Sequence, residues 1–145
     1  MRRTIIYIIG IVLLMGSCDL EHSDNGDLDG FWQLYQLDTL STGGITDMRD
    51  SMTSWSFQMR LMEIRGSYEN AKEGVLFRFE HKADSLILSN PYYSDRMVGD
   101  VEITDAAELR PLGIYHLREP FYIEALNDDR MHLRTDRLRF HFRKY

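Results

Sequence analysis

The sequence predicts an all-β fold, an antiparallel up-and-down barrel of eight strands with one short helical turn. From Gly30 onward the apolar residues recur with a period of two, which is typical of strands with two different faces. Polar turns separate the short apolar runs, and none has the length or the 3.6-residue period of a long helix. Antiparallel strands of this kind lose their exposed edges when they close, and eight strands suit such closure.

The first half of the domain contains the strands with the clearest alternation. They end at residues that favour turns, such as Gly43-Gly44 and Asn90-Pro91. We therefore predict a long loop, 39–54, after the first strand, and an end to the fourth strand at Asn90-Pro91. The predicted strands are Phe31–Leu37, Trp55–Leu61, Val75–Glu80, a segment around Leu86 and Leu88, and a weaker one over Val98–Ile103.

A change of period marks the predicted helical turn. Asp105 has the position of an N-cap, and Glu108 follows three residues later, as in a capping box. Pro111 and Gly113 then limit the helical segment to about one turn.

Three strands complete the predicted barrel, over Phe121–Leu126, Met131–Arg134 and Arg137–Lys144. A two-residue turn at Thr135-Asp136 would place Leu133 opposite Leu138, so that apolar residues face apolar residues. The strand before this hairpin has the opposite phase. We therefore predict a bulge or an odd-length turn between Ala125 and Met131.

The N-terminal segment, 1–17, has the pattern of a secretion signal. Arg2 and Arg3 precede an apolar run over Ile5–Met15, which is too short for a bilayer, since a spanning helix needs about 20 residues. Gly16-Ser17-Cys18 resembles the lipobox of bacterial lipoproteins, in which the cysteine thiol receives a diacylglycerol. The resemblance implies a lipid anchor on Cys18, the only cysteine of the chain, and attachment to the outer membrane of the bacterial envelope. An ordinary cleavage site nearby, with Cys18 incidental, is the alternative.

An acidic segment, 18–29, is predicted to be a flexible tether before the barrel domain, 30–145. It contains several Asp and Glu residues but no Lys or Arg, and it has too few apolar groups to fold. It is either a solvated spacer or, by resemblance to surface lipoproteins of some bacteria, a signal for export to the outer face of the outer membrane.

Composition argues against several classes of function. The net charge of −6, which becomes more negative when Arg2 and Arg3 are removed, disfavours a nucleic-acid partner. With Cys18 attached to lipid, the chain has no internal disulfide and no thiol nucleophile. The histidines lack the spacing of a metal site, and no catalytic motif occurs. We therefore expect no enzymatic activity, no metal and no cofactor.

Once these strands are assigned, residues 30–145 resemble the lipocalin-like domains of bacterial lipoproteins. Gly30-Phe31-Trp32 matches the Gly-x-Trp that opens the first lipocalin strand, and segments 109–114 and 137–144 fit the final part of such domains. In lipocalins this Trp packs beneath an arginine of the last strand. The resemblance implies that Trp32 closes one barrel end together with Arg139 or Arg143. The short domain, without a disulfide or a long C-terminal helix, departs from the family and predicts a small interior.

Two functions remain open for this barrel. Aromatic and methionine side chains of the predicted inner faces would line a pocket for a small hydrophobic or amphipathic ligand, or they would fill the barrel as a core. In the second case the protein would be a structural or interaction subunit of an envelope complex, with loop 39–54 and the tip at Pro91 as contacts. The candidate ligand-binding residues are Trp32, Trp55, Phe57, Met59, Phe77, Phe79, Met131, Phe140 and Phe142.

The basic stretch over 130–144 also has two interpretations. It is either a solvated outer face, balanced by the acidic remainder of the chain, or a site for an anion such as an acidic glycan or a lipid phosphate.

Overall fold

The computed structural model describes residues 23–66, 74–95 and 97–145. In these residues a single antiparallel sheet of ten strands closes on itself, because the first strand pairs with the last. The strands are β1 (Gly30–Thr39), β2 (Gly44–Asp47), β3 (Ser54–Gln58), β4 (Leu61–Arg65), β5 (Val75–Lys82), β6 (Ser85–Tyr93), β7 (Val101–Glu102), β8 (Glu119–Leu126), β9 (Arg130–Arg134) and β10 (Leu138–Lys144).

Eight strands form the barrel wall, in the order β1–β3–β4–β5–β6–β8–β9–β10, and β10 returns to β1. The other two strands are additions: β2 pairs with the second half of β1, and β7 pairs with the end of β6. The predicted closed antiparallel barrel is confirmed. In the described part of the chain no helix is long and apolar enough to cross a membrane.

The helical turn is a 3-10 segment over Ala106–Leu112. The Asp105 side chain accepts a hydrogen bond from the N–H of Ala107 at 2.8 Å, as expected of an N-cap. Gly113 ends the segment with φ 75°, a conformation that favours glycine. Two shorter 3-10 segments occur at Gly26–Leu28 and Arg49–Ser51.

The predicted second strand is in fact two strands, β3 and β4. Met59, with φ 57°, and Arg60 turn the chain between them, and β4 then pairs with β3 along its whole length. Met59 therefore lies in a turn and is 40 % exposed, so its predicted position on the inner face is wrong. Apolar and polar residues alternate through this turn as they do in a strand, so the sequence pattern did not indicate the turn.

Two predicted irregular segments contain strand. The loop over 39–54 includes β2, because Gly43, with φ 70°, lets the chain reverse onto β1. The predicted break at Asn90-Pro91 is a bulge, in which these two residues lie opposite Phe77 alone and β6 continues to Tyr93. The predicted strand over 98–103 is shorter, with only β7 formed.

The last hairpin differs from its predicted register by two residues. Leu133 lies opposite Phe140 rather than Leu138, because the Thr135 hydroxyl accepts N–H groups of a longer turn. A shift of two residues keeps apolar opposite apolar, so the inner faces are unchanged. The predicted bulge before β9 lies at Glu124 rather than after Ala125.

Part of the predicted tether is folded against the barrel. The Ser23 hydroxyl accepts the N–H of Met59 at 2.9 Å, and the Asn25 side chain donates to the Met59 carbonyl at 2.8 Å. Leu28 is completely buried and supplies the apolar anchor of this segment. Residues 23–29 are therefore packed against the barrel, rather than forming part of a free tether. The signal segment, Cys18 and the first tether residues lie outside the described residues.

Candidate binding sites

The barrel interior contains an aromatic cluster centred on Trp55. The ring centroids of Phe142, Phe121 and Phe140 lie 4.9, 5.6 and 5.6 Å from that of the Trp55 ring. These separations are those of aromatic rings in direct contact. The cluster forms because β3, β8 and β10 each direct every second side chain inward.

The residues predicted to line a pocket are, apart from Met59, inward-facing and buried. Phe121 and Met62 belong to the same interior but were not among the predicted pocket residues. Phe121 was detectable, since it lies on the apolar face of its predicted strand. Met62 was hidden by the unrecognised turn before β4. The buried predicted residues are Trp32, Trp55, Phe57, Phe77, Phe79, Met131, Phe140 and Phe142.

The indole N–H of Trp55 is an unusual polar group of this interior. It is buried and has no hydrogen-bond partner among the described residues. The indole of Trp32, which lies opposite Trp55 in the β1–β3 pairing, donates to the Leu28 carbonyl at 2.8 Å. A buried donor without an acceptor costs about 1–3 kcal/mol, so such groups are rare. An acceptor atom brought into the interior beside Trp55 would remove this cost.

One barrel end is closed by Trp32 between Leu28 and Lys144. The Lys144 ammonium lies 4.9 Å from the centroid of the Trp32 ring. The predicted cover, Arg139 or Arg143, is wrong, because both alternate with the inward Phe side chains of β10 and so point outward. Lys144 lies two residues after Phe142 in β10, so its side chain is on the same, inward face and lies over Trp32.

The opposite barrel end is covered by the connection from β7 to β8. Leu109 and Ile114 of this connection are completely buried against the inner side chains. A Cβ atom at Gly113 would lie 3.0 Å from Leu138 and 3.0 Å from Phe140, so the backbone packs directly on the inner face of β10. A ligand that enters here must displace this connection.

The outer face of β8, β9 and β10 carries a network of ion pairs. Glu124 accepts a hydrogen bond from Arg139 Nε at 2.6 Å, and its carboxylate lies 3.0 Å from Arg134 Nε. The hydrogen bond from Arg139, with the charges of both guanidinium groups, lowers the pKa of Glu124 despite partial burial. Part of the predicted basic stretch is therefore neutralised.

Two histidines contact each other beside this network. The ring centroids of His132 and His141 are 4.6 Å apart, and His141 Nε2 lies 2.8 Å from a carboxylate oxygen of Asp38. His132 Nε2 is buried and has no partner in the described part of the chain. Burial, followed by the charge of His141, lowers the pKa of His132. This pair was not predicted, because the predicted register placed Arg139 rather than His141 opposite His132.

These residues do not assemble a metal site. Among the described residues, no three of His, Cys, Asp and Glu come together in an arrangement that could hold a metal ion.

The closed barrel, with the Gly-x-Trp of β1 at one covered end, defines a lipocalin-type protein. The chain belongs to the lipocalin-like domain family, whose model matches residues 12–145. Proteins of this fold family are typically binding proteins rather than enzymes.

Two solved structures from Bacteroides share this fold. A lipocalin-like protein from Bacteroides uniformis is 18% identical, with a TM-score of 0.63, and the match covers 83% of this chain and 100% of that one. An uncharacterized protein from Bacteroides eggerthii is 18% identical, with a TM-score of 0.60 and coverage of 81% and 99%. At this identity the similarity shows the fold alone. No curated protein matches the chain.

Proposed function

We propose that the protein is a lipid-anchored envelope lipoprotein whose barrel binds a small hydrophobic or amphipathic ligand. The observation that supports ligand binding is the buried Trp55 N–H, which has no acceptor among the described residues. The aromatic rings around Trp55 suit an apolar ligand body, and the N–H suits one oxygen acceptor, such as a carbonyl or hydroxyl group. The ligand is therefore expected to be apolar with a single polar end.

The ligand needs space that the connection over 106–114 now occupies. This connection is a 3-10 segment outside the sheet, whereas the wall strands are hydrogen-bonded on both sides. Its links to the wall include a hydrogen bond of 2.9 Å from the Tyr93 hydroxyl to Glu108. Withdrawal of Leu109 and Ile114 would open the interior, and the ligand would replace the apolar contacts that they leave.

Native mass spectrometry of the full chain, purified in detergent, tests this proposal. A bound apolar molecule should appear as a reproducible added mass, which organic extraction then identifies. Trp55→Phe removes the donor but keeps an aromatic ring, so it should weaken ligand binding roughly tenfold, the loss expected for one buried hydrogen bond. Trp32→Phe is the comparison variant, because its N–H is already bonded to the Leu28 carbonyl and is not available to a ligand, so it should weaken ligand binding less than Trp55→Phe. A bare barrel, with no response to fatty acids or other amphipaths, would contradict the proposal.

The anchor rests on the Gly16-Ser17-Cys18 pattern. Cys18 precedes Ser23, the first described residue, by five positions, and five residues reach at most about 17 Å. A lipid on Cys18 would therefore hold the Trp32 end of the barrel close to the outer membrane. Cys18→Ala should move the protein from the membrane to the soluble fraction and remove the mass of the acyl chains. Ser17→Ala, a small residue at the neighbouring position, should leave both unchanged.

A second candidate function is an interaction subunit of an envelope complex with a filled barrel. Exposed apolar side chains near the end opposite Trp32 favour it: Ile45 is 70 % exposed and Met97 is 93 % exposed. Crosslinking in intact membranes should then recover one partner repeatedly, and Ile45→Asp with Met97→Asp should abolish its recovery. Under this function the interior would contain no ligand.

A further inference from the structure

A cleft on the outer face of the barrel concentrates cationic side chains. Its volume is about 630 Å³. Its cationic groups outnumber its single carboxylate, although the whole chain has a net charge of −6. Local positive potential in an acidic protein favours an anionic ligand. The lining residues are Tyr35, Arg49, Asp129, Arg130, Arg143 and Lys144.

The cleft is assembled from separate parts of the chain. Tyr35 lies at a bulge of β1, and Arg49 belongs to the 3-10 segment after β2. Arg130 begins β9, and Arg143 lies near the end of β10. The pairing of β1 with β10 brings these elements together. The basic stretch over 130–144 therefore supplies only part of the site.

The arginines of the cleft lack the close carboxylate partners of other arginines on this face. Arg139 approaches Glu124 to 2.6 Å. In the cleft, Arg130 Nε lies 3.7 Å from Asp129, and Arg49 Nε lies 3.7 Å from Asp47, both too far for a hydrogen bond. These arginines therefore keep N–H donors that no hydrogen bond to a carboxylate of the described residues occupies, although each has an acidic residue nearby.

Arg143 is held in position by a neutral partner. Its Nε donates to Oε1 of Gln33 at 2.8 Å, and Gln33 is itself only 5 % exposed. The contact orients the guanidinium group but leaves its charge and its two Nη groups for a ligand. Lys144, fixed between Trp32 and the Asp27 carbonyl, adds a second oriented cation.

We propose that this cleft binds a phosphate monoester, carried either by a lipid headgroup or by a small soluble molecule. Guanidinium groups present pairs of N–H donors that match phosphate oxygens. The Tyr35 hydroxyl, with no hydrogen bond to the described residues, adds a further donor. A phosphate monoester carries a charge of about −1.5 to −2 at neutral pH, which suits this excess of cations better than the single charge of a carboxylate.

The position of the cleft makes both sources accessible. Lys144 contacts Asp27 in the N-terminal segment, so the cleft adjoins the Trp32 end of the barrel. The anchor proposed above would hold this end near lipid headgroups. Phosphate binding itself does not depend on the proposed interior ligand, because the arginines of the cleft point outward.

Calorimetric titration of the full chain in a maltoside detergent, at low ionic strength, tests the proposal. The probes are glycerol 3-phosphate, dioleoyl phosphatidate in the same micelles, and acetate. Arg143→Gln and Arg49→Gln should each weaken phosphate binding roughly tenfold, as expected for a lost charge-assisted hydrogen bond. Arg49 is an exposed residue outside the barrel wall, so its variant should fold even if the Arg143 variant does not. Arg65→Gln is the control, because Arg65 is an exposed arginine outside the cleft that pairs with Glu63 at 2.9 Å.

The outcomes separate the two sources. Phosphatidate that binds at least tenfold more tightly than glycerol 3-phosphate assigns the cleft to a lipid headgroup, and equal affinities assign it to a soluble phosphate. The proposal would be overturned if neither phosphate bound or if acetate bound equally well. It would also be overturned if phosphate binding survived both cleft substitutions. The interior ligand is unaffected by these substitutions, so the two proposals fail independently.

Discussion

The ammonium group of Lys144 lies 4.9 Å from the ring centroid of Trp32 and covers the indole at one end of the barrel. The same ammonium donates to the Asp27 carbonyl at 2.8 Å. The first strand, the last strand and the N-terminal 3-10 segment therefore meet at one side chain. Because Lys144 pairs with Trp32 across the β1–β10 closure, this contact forms only when the barrel closes.

Loss of this contact should lower stability. Lys144→Ala removes a cation–π contact and a hydrogen bond, so we expect the free energy of unfolding to fall by about 1–2 kcal/mol. Urea denaturation measures this change. Lys82→Ala, at an exposed position at the end of β5, should have no measurable effect. An equal loss in both variants would show that the Trp32 contact contributes nothing.

The two tryptophans should respond differently to truncation. Trp32→Phe and Trp55→Phe remove the same atoms from the interior, but only the first breaks a hydrogen bond, to the Leu28 carbonyl. The Trp32 variant should therefore be less stable than the Trp55 variant by about 1–2 kcal/mol in denaturant titrations of the ligand-free protein. A larger loss at Trp55 would mean that its N–H has an acceptor in solution.

Gly113 should tolerate no side chain. A Cβ atom there would lie 3.0 Å from Leu138 and Phe140, and φ is 75°. Gly113→Ala should lower the free energy of unfolding by about 2–4 kcal/mol, from overpacking and from the left-handed backbone. Gly43→Ala is the matched control, because Gly43 has φ 70° but nothing within 4 Å of its Cβ position. The difference between the two variants measures how tightly the 106–114 connection packs on β10.

His132 should make stability depend on pH below neutrality. Burial, followed by the charge of His141, holds the pKa of His132 below its ordinary value of 6.5, whereas the unfolded chain retains that value. The unfolded state then binds more protons, so stability falls as the pH decreases from about 6.5 through the folded pKa. Urea unfolding between pH 5 and 8 measures this loss.

His132→Gln provides the control for this pH dependence. The variant should be less sensitive to pH in the same range, although Asp38, Glu124, Arg130, Arg139 and His141 remain around the position. Glu124 acts at lower pH, because its lowered pKa gives stability that is lost as the pH falls from the ordinary value of 4.5 through the lower pKa of the folded state. Identical pH profiles for the two proteins would contradict the role of His132.

Features that depend on a single strand could be predicted from the sequence, whereas features that depend on how strands pair could not. Inward positions such as Trp55, Phe77 and Phe140 were predicted because adjacent side chains of a strand alternate between the two faces, whatever the strand pairs with. The register of the last hairpin was not predicted correctly, because a shift of two residues keeps the same faces together and leaves the apolar pattern unchanged. The inward position predicted for Met59 was wrong for a related reason, because a two-residue turn preserves the alternation of apolar residues while it reverses the chain.

The sequence by itself therefore determined the fold class and most of the inward residues, because each depends on composition or on the period of a short segment, and the proposed lipid anchor at Cys18 rests on the sequence alone. Only the tertiary structure decided that Lys144 covers Trp32, that His132 meets His141, and that arginines of three segments share one cleft. The first and third of these depend on the pairing of the distant strands β1 and β10, and the second depends on the register of the β9–β10 hairpin. Pairing register is a property of the closed barrel, and no single strand contains it.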